Sequence, residues 1–292
     1  MTHALVFHDG LGSYPPHKTV FILGNDSPLG LYSPRATSVT VDVHGQTLTL
    51  RQSPALLHAP LACGTTGAML WNITPRLARF LTSPPRPARS PARPSPPSSS
   101  SIAAQLLPPS ARVLELGCGV TALLACTIGP RVAAYLQSDM HYAAKLAEEN
   151  LRSNLPRPSP GVRTITLDWE EDHVASQPAL RALGAPLTAV IACDCVYNEA
   201  LVEPLVDTLA AACRLHRLPP LPSSGAEQGG EGRDGTTVIV ASELRSPDVH
   251  ECFLDALMAR FDVWRVPADC LPADLQPTDG FVVYVGLLKD TE

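Results

Sequence analysis

Apolar and polar residues follow two different periods along the chain. Residues 38–43 and 47–50 alternate with a period of two around His44-Gly45-Gln46, which predicts a β-hairpin. From Gly67 to Leu81 the apolar positions recur at helical spacing, which predicts a helix. Its apolar stripe comprises Met69, Leu70, Ile73, Leu77 and Phe80. We therefore expect two paired strands and a helix ahead of the main domain.

Strand and helix patterns alternate from Ala103 onward. Short apolar runs predict five strands over 112–116, 132–137, 162–167, 187–192 and 236–241. Helical patterns follow over 120–128, 142–155, 176–183, 201–215 and 248–260. Such alternation predicts an α/β fold with a doubly wound, mostly parallel sheet. Two last strands, 261–266 and 281–287, have no helix between them and are expected to form an antiparallel hairpin. This ending departs from a plain dinucleotide-binding sheet.

Two low-complexity tracts interrupt these patterns. Residues 83–101 are rich in Pro, Ser and Arg, and residues 218–235 in Gly, Glu and Ser. Because such segments bury little apolar surface, we expect both to be flexible inserts. The predicted organisation is an arm, hairpin and helix over 1–82, the first insert, and a main domain over 102–292 that contains the second insert.

Composition and charge narrow the function classes. The net charge of −6 argues against direct nucleic-acid binding and suits a basic protein partner. No apolar stretch is long enough to cross a membrane, and the chain does not start with a secretion signal, so we expect a cytoplasmic or nuclear protein. The eight cysteines are scattered. Cys193 and Cys195 lack a second pair at zinc-site spacing, so we expect packing residues and no metal site. Nothing in the sequence indicates the oligomeric state.

A glycine turn at a strand-to-helix junction carries the first chemical signal. Gly117-Cys118-Gly119 follows the first strand of the main domain, where the backbone can approach a ligand and the helix start offers free N–H groups. Asp139 ends the next strand, about 20 residues on, where it can accept hydrogen bonds from both ribose hydroxyls. A dinucleotide and S-adenosylmethionine both fit this pattern. Glu115 favours S-adenosylmethionine, because its carboxylate can reach the cationic end of that ligand.

Two further motifs follow later strands. After the third strand, Asp168 can accept from an adenine amino group while Trp169 packs on the adenine ring. After the fourth, Asp194 and Tyr197 stand where an open α/β sheet binds its substrate, and they can hold an acceptor amine. Asn198 suits a helix cap better than Asp194 does. On these grounds Asp194 and Tyr197 are the candidate catalytic residues.

The chain resembles the seven-strand protein-lysine methyltransferases, methyltransferase family 16, and within it a fungal ribosomal branch. The resemblance is carried by Gln52-Ser53-Pro54, Gly64-Thr65-Thr66-Gly67-Ala68, Val113 to Gly119, Leu167 to Glu170, Ile191 to Glu199, Leu244 to Val249 and Phe281 to Leu288. It implies a Rossmann-like, seven-stranded class I methyltransferase sheet with a β-hairpin extension. It also implies S-adenosylmethionine as cofactor and a lysine of a large-subunit ribosomal protein as acceptor.

The resemblance also assigns site residues. Trp71, Gly117, Cys118, Gly119, Asp139, Trp169 and Cys193 would line the cofactor site. Thr121-Ala122 departs from the family pattern, in which a glycine is common at this point of the loop.

Two other functions remain open from the sequence. A methyltransferase of this fold can act on a nucleic acid or a small molecule. Base methylases commonly carry two prolines inside the Asp-x-x-Tyr-like motif, where this chain has Cys195-Val196, which argues against a base as acceptor. A non-catalytic S-adenosylmethionine-binding regulator is the second alternative, and intact Glu115, Asp139, Asp194 and Tyr197 argue against it.

Overall fold

A computed structural model describes residues 30–57, 65–84, 99–155, 161–216 and 235–289. The predictions for the arm over 1–29 and for most of the two inserts lie outside these residues. Within the described part, no helix combines the length and the apolar character that crossing a membrane requires.

The main sheet has seven strands in the order β5-β4-β3-β6-β7-β9-β8. The five parallel strands are β3 (Arg112–Leu116), β4 (Ala134–Asp139), β5 (Val162–Thr166), β6 (Ala189–Cys193) and β7 (Thr237–Glu243). β8 (Phe261–Arg265) and β9 (Phe281–Leu288) form the predicted antiparallel hairpin. β9 inserts between β7 and β8 and pairs antiparallel with β7. The predicted fold class is thereby confirmed.

Eight helices accompany the strands in the described residues. They are α1 (Pro54–Leu57), α2 (Ile73–Leu81), α3 (Ser99–Leu106), α4 (Leu123–Ile128), α5 (His141–Asn154), α6 (Pro178–Arg181), α7 (Val202–Arg214) and α8 (Pro247–Arg260). All the predicted helices exist, but four of them, α2, α4, α6 and α7, are shorter than their patterns indicated. α3, which no pattern predicted, begins inside the first low-complexity tract.

The largest difference concerns the helix expected from Gly67. Its first part is a 3-10 turn over Thr66–Ala68 followed by extended backbone. The Tyr32 N–H donates to the Leu70 carbonyl, and the Asn72 N–H donates to the Gly30 carbonyl. These residues therefore pair across two segments of chain, and α2 starts only at Ile73. The five apolar stripe residues are nevertheless all buried.

A separate two-stranded sheet, β1 (Ser38–Val43) and β2 (Gln46–Arg51), confirms the predicted hairpin. His44 and Gly45 both have positive φ angles, as the two central residues of a type I′ turn require. The hairpin's inward residues share one hydrophobic cluster with α2, α4 and the sheet. The hairpin thus shares its core with the main sheet, whereas Leu31, Ala68 and Met69 form a small cluster of their own.

Candidate functional site

A cleft of about 860 Å³ opens at the carboxyl ends of β3, β4, β5 and β6. β3 and β6 are neighbours at the point where the strand order reverses direction, which is where open α/β sheets bind ligands. All eleven residues predicted from the sequence line this one cleft: Trp71, Glu115, Gly117, Cys118, Gly119, Asp139, Asp168, Trp169, Cys193, Asp194 and Tyr197. The residues predicted from the sequence therefore converge on one cavity.

The glycine loop between β3 and α4 forms the floor of the cleft. Gly117 and Gly119 have φ angles of +67° and +61°, which side-chain-bearing residues rarely adopt. A Cβ on Gly119 would lie 2.9 Å from the Gly67 carbonyl oxygen, and that same oxygen accepts from the Val120 N–H at 2.8 Å. The segment before α2 is therefore fastened directly to the loop. Ala122 also has a positive φ, of 54°, a conformation that glycine adopts with less strain than alanine.

Asp139 supports the loop from the end of β4. One carboxylate oxygen accepts from the Gly119 N–H at 2.7 Å, and the other from the Met140 N–H at 2.8 Å. Burial raises the pKa of Asp139 to about 6, against the effect of these two hydrogen bonds. Each carboxylate oxygen has a second lone pair, so both can still accept from a ribose diol.

We expect Asp139→Asn to weaken S-adenosylmethionine binding by roughly 10- to 100-fold, because hydrogen bonds to a charged group contribute about 1.5–3 kcal/mol. Transfer should be partly rescued at high cofactor concentration. Isothermal titration with S-adenosylhomocysteine measures the change. Asp42→Asn, which alters an exposed carboxylate that accepts from Gly45 in the hairpin turn, is the control and should leave affinity unchanged.

Glu115 is a buried acid at the inner wall. The Tyr135 hydroxyl donates to one of its oxygens at 2.8 Å. Burial, together with the nearby Asp139 charge, raises the pKa of Glu115 to about 8 against the lowering effect of the Tyr135 hydrogen bond. Without a ligand the carboxyl is thus largely protonated at neutral pH. A cationic ligand group beside it would favour the charged form, which is the form a sulfonium or ammonium group needs.

Cofactor affinity should consequently rise with pH. If the cation binds the ionised carboxyl, binding releases a proton below pH 8, so the association constant increases from pH 6 to about 8 and then levels off. In the ligand-free protein the sign is reversed: the folded pKa exceeds the unfolded value, so stability falls as the pH rises from about 4.5 to about 8. Calorimetric titrations at several pH values measure the association constant, and unfolding at the same pH values measures the stability. Glu115→Gln is the comparison in each case. A Gln variant with the same pH dependence as the wild type would exclude Glu115 as the source.

The wall beside Asp139 is formed by the turn after β5, whose Leu167 N–H donates to the Asp139 carbonyl at 3.0 Å. Asp168 accepts from the Glu170 N–H at 2.9 Å through one oxygen, which keeps the turn closed. The Trp169 ring stands over the glycine loop, since a Cβ on Gly117 would lie 3.2 Å from it. The Cys195 thiol would lie 2.6 Å from the same Cβ, and it donates to the Leu116 carbonyl at 3.3 Å. This half of the cleft suits a flat ring.

Asp194 and Tyr197 form the outer part of the cleft. Asp194 has a φ of 59°, and its side chain is fully buried. Oδ1 accepts from Arg245 at 2.7 Å and from the Glu243 N–H at 3.2 Å, whereas Oδ2 is buried with no hydrogen-bond partner in the described structure. Tyr197 is 39% exposed. Asn198 accepts from the Ala200 N–H at 3.2 Å, so the capping role assigned to it rather than to Asp194 is confirmed.

Sequence reasoning missed residues that act across long separations. Thr66, Gly67, Thr74 and Tyr142 also line the cleft. Asn150 is buried and donates to the carbonyls of Arg51 and Val120, which ties the hairpin to the glycine loop. Arg245 pairs with Asp194 from 51 positions away. The family resemblance includes the segments Gly64–Ala68 and Leu244–Val249, and it is the sequence signal that points to Thr66, Gly67 and Arg245.

Metal chemistry has no visible site in this region. Among the described residues, no three His, Cys, Asp or Glu side chains converge in a way that could hold a metal ion. Cys193 and Cys195 are buried, and burial raises the pKa of both thiols. They pack against the cleft as small side chains.

Comparison with known proteins gives a family match over most of the residues that line the cleft. The sequence profile of methyltransferase family 16, described as lysine methyltransferase, matches residues 98–217. This central region, which holds most of the cleft, is therefore similar to methyltransferase family 16. The match spans β3 to β6, which supply the glycine loop, Asp139, Trp169 and the Asp194–Tyr197 motif. The match supports a methyltransferase fold and chemistry for this region, and the loop, acids and aromatic wall fit S-adenosylmethionine as a cofactor.

Curated relatives extend the similarity beyond that region. Ribosomal lysine N-methyltransferase 5 of Eremothecium gossypii is 29% identical over 78% of this chain and 80% of its own length. The protein of the same name from Zygosaccharomyces rouxii is 26% identical over 74% of this chain and 71% of its own. A Schizosaccharomyces pombe protein named diaminohydroxyphosphoribosylamino-pyrimidine deaminase is 24% identical over 82% of this chain. The chain spans 48% of that protein, about half its length.

Solved structures give only distant overlaps. Magnesium protoporphyrin IX methyltransferase from Synechocystis PCC 6803 with bound SAH is 12% identical, with a TM-score of 0.36 over 62% of this chain and 75% of its own. At this level the overlap adds nothing to the fold assignment, which the strand order gives directly.

Proposed function

We propose that this protein is an S-adenosylmethionine-dependent protein-lysine N-methyltransferase that acts on a protein of the large ribosomal subunit. One observation carries the proposal: Asp194 lines the cleft beside the exposed Tyr197, and its buried Oδ2 has no hydrogen-bond partner among the described residues. Such an oxygen is costly to bury unless a donor reaches it from the cleft. An amine N–H is such a donor. The names of two relatives support lysine and ribosomal protein as acceptor.

The geometry suits alignment of an amine rather than its activation by a strong base. S-adenosylmethionine, when bound, supplies an electrophilic methyl group. Asp194 Oδ2 can accept an N–H from the acceptor and fix the direction of its lone pair, and the Tyr197 phenol can contact the same nitrogen from the rim. Because Arg245 already pairs with Oδ1, Asp194 would hold an ammonium less tightly, which eases loss of the proton that must precede transfer.

Charge at the mouth favours a basic protein as the substrate. Glu170, Glu171 and Glu199 are exposed on the turns that carry Trp169 and Tyr197. In the part of the chain that the structure describes, none of the three forms a salt bridge. Exposed acidic residues beside a binding site favour approach of a partner rich in Lys and Arg.

Labelled-methyl transfer into an extract of cells that lack the gene tests the proposal. Treating the labelled extract with protease or nuclease, and sedimenting ribosomal subunits, separates the acceptor classes. We expect label that is sensitive to protease, resistant to nuclease and associated with the large subunit. Label released by nuclease would favour nucleic-acid methylation, and label in the small-molecule fraction would favour a metabolite.

A further inference from the structure

The side chains around the entrance of the cleft are linked to one another by direct contacts. One residue behind them, Arg245, completes these links. Asp194 and Tyr197 belong to one loop, and both line the cleft, as do Thr66 and Trp71 from the segment before α2. The Trp71 indole N–H donates to the Thr66 carbonyl at 3.1 Å. Thr66 in turn forms a side-chain hydrogen bond with Tyr197 that lowers the Tyr197 pKa against the effect of burial. These contacts join one side of the mouth.

Arg245 joins the other side. Its Nη2 donates to Asp194 at 2.7 Å, and its Nη1 donates to Glu243 at 3.2 Å. Its guanidinium carbon stands 4.8 Å from the centroid of the Trp71 ring, within the range of a cation–π interaction. Space around it is tight, since a Cβ on Gly30 would lie 2.4 Å from Nη1. Arg245 itself is not among the residues that line the cleft.

We propose that Arg245 is a positioning residue that closes a collar of side chains around the entrance for the acceptor lysine. The collar consists of Thr66, Trp71, Asp194, Tyr197 and Arg245. Arg245 engages Oδ1 of Asp194, which leaves Oδ2 without a partner in the described part of the chain and available to the acceptor, and its guanidinium stacks on the Trp71 ring. The inference rests on the proposed function, because it treats the entrance as the path of an amine.

Charges around Asp194 give the collar a measurable signature. Burial raises the pKa of Asp194, Arg245 lowers it, and the Glu243 carboxylate raises it again. The neighbouring groups on β6 and its loop are the Cys193 and Cys195 thiols, whose pKa values are raised well above 9.0, so they stay neutral. Without Arg245 the Asp194 carboxyl would therefore be protonated over more of the working pH range and could not accept from the amine.

Arg245→Met should lower kcat for labelled-methyl transfer into the extract by roughly ten-fold at pH 7 while cofactor affinity stays within about three-fold. The ratio of variant to wild-type rates cancels the titration of the acceptor amine. This ratio should rise as the pH is raised from 6 to 9. Arg245→Lys should restore the pH dependence, because it keeps the charge, but only part of kcat, because lysine cannot hold two carboxylates and stack on Trp71.

Arg260→Met is the matched control. Arg260 also bridges two carboxylates, Glu203 and Asp207, each at 2.8 Å, but away from the cleft. Its loss should leave kcat and the pH ratio unchanged. Two results would contradict the proposed role of Arg245: an equal loss of kcat in Arg245→Met and Arg260→Met, or an Arg245→Met to wild-type rate ratio that does not change with pH.

Acrylamide quenching of tryptophan fluorescence separates this inference from the proposed function, since it needs no substrate. Arg245→Met should increase quenching relative to the wild type and to Arg260→Met, and the increase should vanish when Trp71 is also changed to Phe. If quenching changes as expected but no lysine is methylated, the collar stands and the proposed acceptor is wrong. If lysine is methylated and Arg245→Met changes neither quenching nor the pH ratio, the collar is wrong and the function stands.

Discussion

Asp194→Ala is expected to fold, to bind S-adenosylmethionine within a few-fold of the wild type, and to lose methyl transfer by roughly 100-fold or more, the scale of lost positioning. The reason is where the carboxylate lies. Asp194 is at the outer end of β6, whereas the hydrogen bonds that shape the glycine loop come from Asp139. Loss of the Asp194 carboxylate should therefore slow the transfer step and leave the glycine loop that binds the cofactor unchanged.

The Asp194 result needs a control because the change also frees Arg245. Asp194→Asn keeps the shape and removes only the charge, so it should lie between alanine and wild type in transfer rate while preserving the fold by circular dichroism. Tyr197→Phe should reduce transfer with unchanged cofactor affinity. A folded Asp194→Ala enzyme that methylates at the wild-type rate would remove Asp194 from the acceptor site.

Gly119→Ala is expected to weaken cofactor binding by roughly 30-fold or more, equivalent to about 2 kcal/mol, the cost of leaving one buried backbone donor without its acceptor. Two effects combine at this position. The φ of +61° is strained for alanine, and the new methyl would lie 2.9 Å from the Gly67 carbonyl oxygen. The Gly67 segment must then move away from the loop, which also breaks the Val120 N–H bond to Gly67.

Gly184→Ala isolates strain from crowding. Gly184 has the same φ of +61°, but a Cβ there would meet nothing within 4 Å. Both variants should lose comparable stability from strain, and only Gly119→Ala should lose affinity for S-adenosylhomocysteine in calorimetry. Loss of affinity in both would mean that the glycine loop is sensitive to general destabilisation rather than to the Gly67 contact.

The local pattern of apolar and polar residues predicted much of this fold, because the strands of the sheet each have a recognisable pattern of their own in the sequence. The limits of β3 were predicted to the residue, since a buried strand ends where a glycine turn begins. The final β8–β9 hairpin was predicted because no helix pattern separates its strands. The insertion of β9 between β7 and β8 had no sequence signal, since pairing order depends on which edge remains open after the parallel strands assemble.

In the site too, some residues could be predicted from the sequence and others could not. Gly117, Gly119, Asp139 and Trp169 follow strand ends at spacings that the fold requires, so a single sequence predicts their meeting place. Arg245 could not be assigned in this way. Its contact with Asp194 joins residues 51 positions apart, and its contact with Trp71 depends on the extended backbone that replaced the first turns of the helix expected from Gly67. Tertiary pairing with Gly30–Tyr32 overrode the helical pattern there.

Identification of the modified amino acid tests the central claim most directly. Protein labelled from S-adenosylmethionine by the wild-type enzyme, with Asp194→Ala as control, is hydrolysed to amino acids and separated against methylated standards. We expect the label as ε-N-methyllysine in the wild-type sample and at least about 100-fold less of it with the variant, the loss expected when positioning fails. Label in methylarginine, methylhistidine or a carboxyl methyl ester, or equal methyllysine in both samples, would contradict the account.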